Sequence, residues 1–463
     1  MRQIFKVMVW GISLAGFFSL PSSADAAPTC AVVDIDQVGW QRLQSAKTTE
    51  DIGWWIEIGG ELLVCGSDSA VASITGDLQL LSVHPALDLD RLRISRGLHQ
   101  TELAVLELQV IAQGGGVAVV RLDDPERLGI EDAGPVSLGH GWLLPVVPDS
   151  VIVRQASNDE PRPRVIFEPE VQGLVDMVDG DRWFADVVTL ASYNRYTRNA
   201  GIHDARIWLV SELESLPGLE VTTPSFMVGN TTAYNVVATL VGEKRPDDWY
   251  IIGGHYDSIS QDPQVAAPGA EDNGSGCAGV LEMARVFTAS PPDATTLFIC
   301  YSAEELGLHG SSDHVDGLIA SGDLAKVQAM LDLDMIGYTS DQDLDCLLET
   351  ESFADFLLDV FEDAALEFTS LRIETDLTAC CSDHKPYLNA GVPALLTIEN
   401  DWFEYPFYHT VNDLPQHLTI AMGREILKMN VAAMAQMIGA PDLLVFGDAF
   451  ESGDTSAWSE IFP

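Results

Sequence analysis

Five short segments of this sequence set metal-ligating or proton-moving side chains directly against apolar runs. Ile251-Ile252-Gly253-Gly254 leads into His255-Tyr256-Asp257, and a glycine-rich stretch over 267–276 carries Glu271 and Asp272 toward a helix. Phe298 to Ala303 ends on Glu304-Glu305, Leu331-Asp332-Leu333-Asp334-Met335 sets acids inside an apolar run, and Tyr408-His409-Thr410 follows an aromatic loop. A buried carboxylate such as Asp334 is costly unless it is paired or bound to a metal. Histidine nitrogen and carboxylate oxygen together suit zinc, which accepts both at about 2.0–2.2 Å, and the absence of cysteine from the set excludes a structural thiolate site. One carboxylate shared between two ions would let two histidines and two further acids complete a pair of open sites, held about 3.5–4 Å apart in two-metal hydrolases. A spare acid beside a ligand, as Glu304 stands beside Glu305, would then deprotonate the attacking water.

Such side chains converge only if strands carry them to one edge. Asn235 to Val241, Trp249 to Gly254, Thr296 to Tyr301, Ala329 to Ile336 and Ala394 to Ile398 read as strands, several almost wholly apolar, as strands covered on both faces should be. Gly276 to Phe287, Phe353 to Ala365 and Thr419 to Ile438 read as helices, as does the 3.6-residue spacing of Ala205, Trp208, Leu209, Leu213 and Leu216. Residues 173–440 are therefore expected to form an α/β domain, a mostly parallel mixed sheet with helices on both faces, whose site lies beyond the carboxyl ends of the strands. A smaller β-rich N-terminal domain is expected over 27–154, with hairpins at Trp54 to Cys65 and, around Gly114-Gly115-Gly116, from Leu103 to Leu122. No catalytic constellation is visible there, and His84, His99 and His140 are scattered. The polar, proline-rich stretch 155–172 reads as a linker and 441–463 as an acidic C-terminal tail.

Residues 1–26 combine Arg2 and Lys6, an apolar run and Ala24-Asp25-Ala26, the pattern of a signal peptide cleaved before Ala27, so a secreted protein is expected, extracellular or periplasmic. Export permits disulfides among the seven cysteines. Cys30 and Cys65 could pair, Cys277, Cys300 and Cys346 read as buried thiols, and a bridge between the adjacent Cys380 and Cys381 reads as strained, one of them pairing elsewhere being more plausible. With 47% hydrophobic residues the chain can bury large cores, which excludes a disordered protein. A formal charge of -46 repels phosphate backbones and anionic lipid, so neither nucleic acid nor membrane is expected as a partner. A Gly-x-Ser-x-Gly elbow and a Walker loop are both missing.

The ordered motifs, with Leu190-Ala191-Ser192-Tyr193-Asn194-Arg195-Tyr196 ahead of them, resemble the co-catalytic zinc aminopeptidases of the bacterial leucyl aminopeptidase type over roughly 175–438. The resemblance implies two zinc ions bridged by Asp272, with His255 and Asp334 completing one ion's ligands and Glu305 and His409 the other's. It makes Glu304 the general base and Asp257 the acid that orients His255. It implies a monomer acting on peptides with free N-termini, and a hydrophobic pocket among Met335, Cys381, Trp402, Phe403, Phe407 and Tyr408 that favours Leu, Phe or Met. A carboxypeptidase, a dipeptide-releasing enzyme or an inactive metal-binding homologue is the alternative. Two departures stand out: Ala379 falls where close relatives have a tyrosine that helps stabilise the intermediate, so that either Tyr408 or Tyr405 substitutes as donor or the site relies on zinc alone, and Leu377 replaces the first cysteine of their loop disulfide. Segments like 27–154 assist folding or shield the site in that family, so a separable prodomain is expected.

Overall fold

The apolar runs of the second region become strands enclosed on both sides. Ala294–Tyr301 is buried at every position and Val327–Leu333 at every position except Gln328, as the middle of a layered sheet requires. In the computed structural model, which describes residues 29–439 apart from 39, 50, 77, 124–135, 139–140 and 156–163, these two strands flank Arg245–His255 and run parallel to it, with Ala394–Glu399 parallel beyond. The expected leader 1–26, the 156–163 part of the linker, His140 and the tail 441–463 lie outside the described residues.

Helices cover both faces of this mixed sheet. Gly276–Ala289 lies against the central strands and packs with Gly180–Ala191 and Ile420–Ile438, while His309–Ser321 and His384–Asn389 form a separate pair. Trp183, fully buried, donates its indole N–H to the Ser275 carbonyl at 2.9 Å and so fixes the start of the Gly276 helix. Among the described residues no helix is long and apolar enough to cross a membrane.

The sheet does not stop at the second region. Asp345–Glu349 pairs antiparallel with Ala394–Glu399, and Arg372–Asp376 runs parallel to Asp345–Glu349. Ser150–Gln155 then pairs with Arg372–Asp376 through Arg154 and Gln155, and four more strands, Ile52–Gly59, Glu61–Gly66, Thr29–Asp34 and Leu80–Pro85, complete thirteen. A second, five-stranded sheet is built wholly from the N-terminal region. One apolar cluster joins the regions: Ile56, Ile58, Val117, Val119 and Val153 pack with Met335, Leu347, Leu396, Ile398 and Tyr405. Arg96 adds a buried ion pair to Asp376 and donates to the Thr378 carbonyl at 3.0 Å.

Three local expectations change. The expected strand from Leu103 begins only at Gln109, because Gln100–Val105 is a helix. A capping box explains it: the His99 ring accepts from Thr101 N–H while the Glu102 side chain accepts from His99 N–H. A helix also begins at Glu170, inside the stretch read as linker. Third, Cys380 and Cys381 bond to each other. Cys30 and Cys65 are consumed by their own bridge and Cys277, Cys300 and Cys346 are buried thiols, so neither has another partner.

Candidate functional site

The site forms where the parallel strands end. His255 is the last residue of its strand, Asp334 follows Leu333 directly, and Glu304 and Glu305 lie just past Tyr301. Asp272 sits in the tight loop before the Gly276 helix and His409 in the loop after Trp402–Glu404. Gly276 lets that loop close on the sheet, since a Cβ there would lie 2.0 Å from the Leu333 carbonyl oxygen. Ala303, Met335, Cys381 and His409 all have left-handed backbone, φ +60°, +50°, +72° and +54°. Each such residue costs on the order of 1–3 kcal/mol, and such strain collects at functional sites.

The side chains meet on Asp272. Its Oδ1 is 3.3 Å from His255 Nε2, which is 3.5 Å from Asp334 Oδ1. Its Oδ2 is 3.1 Å from His409 Nε2, itself 3.1 Å from Glu305 Oε2. His255, Asp272 and Glu305 each offer a ligand atom within 4.8 Å of the others. Atoms held about 2.0–2.1 Å from one tetrahedral ion lie about 3.3 Å from each other, so these spacings and the nitrogen–oxygen donor set fit zinc. Asp334 Oδ1 is buried with no hydrogen-bond partner among the described residues, an orphan that a cation would satisfy.

Glu304 stands beside the ligands, its Oε2 3.8 Å from His255 Nε2. Asp257 is placed differently from a simple carboxylate–imidazole relay. His255 Nδ1 lies 3.1 Å from the Asp257 main-chain carbonyl and 3.7 Å from its carboxylate, which instead accepts from Glu304 N–H at 3.1 Å and Thr197 Oγ at 2.8 Å. Asp257 thus ties the histidine strand to the glutamate turn.

Burial would lower the His255 and His409 pKa values, but the surrounding carboxylates, Glu304 and Asp334 for the first and Glu305 and Asp272 for the second, hold both well above the usual range. Asp272, which burial alone would raise, is held below it by His255 and His409. Burial pushes the Glu304 carboxyl well up, with Glu305 adding to it against His255, and takes Glu305 to about 7.

Several further residues support the ligands. Asp413 accepts from Glu271 N–H at 2.9 Å, Asp272 N–H at 3.0 Å and Tyr405 O–H at 2.7 Å. Arg195, fully buried, donates to the carbonyls of Tyr256, Pro268 and Gly269. Ser382 donates to Asp334 Oδ2 at 2.7 Å. Arg195 stands within a motif readable in the sequence; Asp413 carries no comparable local signal.

A cavity of about 540 Å³ opens beside the ligands. Met335, Cys381, Trp402 and Tyr408 line it as expected, whereas Phe403 packs beside His99 and Trp402, and Phe407 stacks on His417. Tyr405 spends its hydroxyl on Asp413, leaving Tyr408, stacked on His409 at 3.8 Å, as the tyrosine at the cavity.

Residues 235–434 match the family model "Peptidase family M28". A "Probable aminopeptidase" of Saccharomyces cerevisiae is 30% identical over 289 residues, 58% of this chain and 71% of its own length. A "Probable zinc metalloprotease" of Pyricularia oryzae is 32% identical over 211 residues, but the match spans only 42% of either chain. Among solved structures, the Legionella pneumophila LapA aminopeptidase shares the fold, with TM-score 0.52 and 20% identity over 75% of this chain and 98% of its own.

Proposed function

This chain belongs to peptidase family M28, and from that premise we propose that it is an exported aminopeptidase that holds two zinc ions and releases apolar residues from peptides with free N-termini. One observation carries the two-ion reading: Asp272 turns one oxygen toward His255 and Asp334 and the other toward His409 and Glu305. Zinc bound there would supply a water of lowered pKa and polarise the scissile carbonyl.

The chain's own groups do the rest. Glu304, raised by burial, takes the proton of the attacking water and returns it to the leaving amine. Tyr408 donates a hydrogen bond to the oxygen of the tetrahedral intermediate, a role supported by its position in the cavity wall. The carboxylates of Glu304, Glu305 and Asp334 face the same cavity and favour a substrate ammonium. Its lining cations, Arg96 and Lys385, are already paired with Asp376 and Glu351, which disfavours a carboxypeptidase. The Cys30–Cys65 bridge supports export to an oxidising compartment.

The test is an exopeptidase panel on leucyl, phenylalanyl, alanyl and N-acetylated peptides, with and without a chelator. Free apolar N-termini should be released, chelation should abolish turnover and zinc should restore it. Cleavage of N-acetylated peptides as fast as free ones would sink the assignment.

A further inference from the structure

The cavity beside the candidate ligands is not the work of the second region alone. Arg96, Gly97, Gly115, Gly116, Val117 and Trp142, all from the N-terminal β-rich region, line it together with the ligand side chains. Its apolar end is composite. Val117, only 1% exposed, packs in one cluster with Met335, Leu347, Leu396 and Ile398, and all five line the cavity.

The Gly115-Gly116 turn shows how closely the two regions are fitted. Both glycines have left-handed backbone, φ +56° and +68°. A Cβ on Gly116 would lie 2.1 Å from Trp402 Nε1, and one on Gly115 would lie 2.5 Å from Val153 Cγ1. The turn therefore rests through Gly116 on the indole of Trp402, which itself lines the cavity. A segment that plugged the site would leave no room beside the ligands. Here about 540 Å³ remains, within the range of about 300–1,000 Å³ of small-ligand clefts.

We propose that the N-terminal β-rich region is a retained wall of the pocket that receives the substrate's first side chain, with Val117, and Trp402 backed by Gly116, setting the pocket's size. The proposal rests on the aminopeptidase reading and runs against the expectation of a removable prodomain. The region is joined to the rest by a continuous sheet through Arg154 and Gln155 and by the Arg96–Asp376 pair. Removing it would strip the pocket's apolar end of Val117 and uncover Met335, Leu347 and Ile398.

The test uses the full-length enzyme and the ratio of kcat/KM on leucine and alanine 4-nitroanilides. Both are read on one sample, so partial unfolding cancels. One extra or missing methylene group in an apolar pocket is worth about 10–200-fold in discrimination. Val117→Phe should lower the leucine-to-alanine ratio by at least about 10-fold. Val117→Ala should raise the ratio of phenylalanine to leucine. Trp142→Ala, at a cavity-lining position that is 43% exposed, should shift the same ratios if Val117→Phe does not fold. Ratios unchanged in every folded variant, with wild-type aminopeptidase activity intact, would overturn the wall. So would a fully active secreted form beginning beyond residue 155 with the same ratios. A wild type that cuts only N-blocked peptides would instead remove the aminopeptidase reading itself.

Discussion

Two chemically identical neighbours, Glu304 and Glu305, receive different surroundings from a single turn. The left-handed Ala303 follows the end of the strand at Tyr301, and after it the two side chains part. Glu305 Oε2 lies 3.1 Å from His409 Nε2 and its Oε1 accepts from Ile259 N–H at 3.1 Å, so both oxygens are anchored. The Glu304 carboxylate lies 3.8 Å from His255 Nε2 and borders the cavity. The first is placed as a base and the second as a ligand. Glu304→Gln should therefore lose about 10²–10⁴-fold in kcat while keeping its zinc, since a general base contributes about that much. Glu305→Gln should lower the zinc content, having lost a charged ligand. Metal analysis alongside kinetics on both variants decides it; zinc lost from Glu304→Gln and retained by Glu305→Gln would reverse the two roles.

At the scale of elements, strand ends were legible and their braces were not. Each run that carries His255, Glu304, Glu305 or Asp334 changes from apolar to polar within a few residues, and that change is local information. Asp413 braces the Asp272 loop from 141 residues away, within a Val411-Asn412-Asp413 stretch that reads as an ordinary turn. The Gly115-Gly116 turn was readable as a hairpin, but nothing local could say that it would rest on Trp402. The Cys380–Cys381 bond was likewise hidden, because it depends on where the other five cysteines end up. The Asp413 brace gives a prediction of its own. Its carboxylate takes two backbone N–H groups and a phenol, and Asn in its place must turn an NH₂ toward one of those donors. Leaving a buried donor unsatisfied costs about 1–3 kcal/mol, and loss of an outer support typically weakens a metal site about 10–100-fold. Asp413→Asn should thus lower Tm and zinc affinity together, whereas Tyr405→Phe should cost only about 1 kcal/mol. Calorimetry and zinc titration test this, and wild-type zinc affinity in Asp413→Asn would show that the loop holds itself.

At the scale of the whole molecule, the joint between the two regions is acidic as well as apolar. Glu374, 7% exposed, sits on Arg372–Asp376, the strand next to Ser150–Gln155, and accepts from Gly60 N–H of the N-terminal region at 2.9 Å. Burial raises its pKa from 4.5 to about 7, with Asp345 adding to the shift and Gly60 N–H, Asn400 and Arg372 opposing it. The folded chain therefore binds more protons here than the unfolded chain between those two values, so stability must fall as pH rises through that window and level off above about 7. At about 1.4 kcal/mol per pKa unit, the penalty at pH 8 is on the order of 3 kcal/mol. Glu374→Gln keeps an oxygen for Gly60 N–H and removes the ionisation. Its Tm should match the wild type near pH 4.5 and exceed it increasingly up to about pH 7, the gap then staying constant. Thermal unfolding of both proteins from pH 4.5 to 8 reads this directly. Parallel curves would mean that Glu374 ionises as easily folded as unfolded, and that water reaches the joint where the structure closes it.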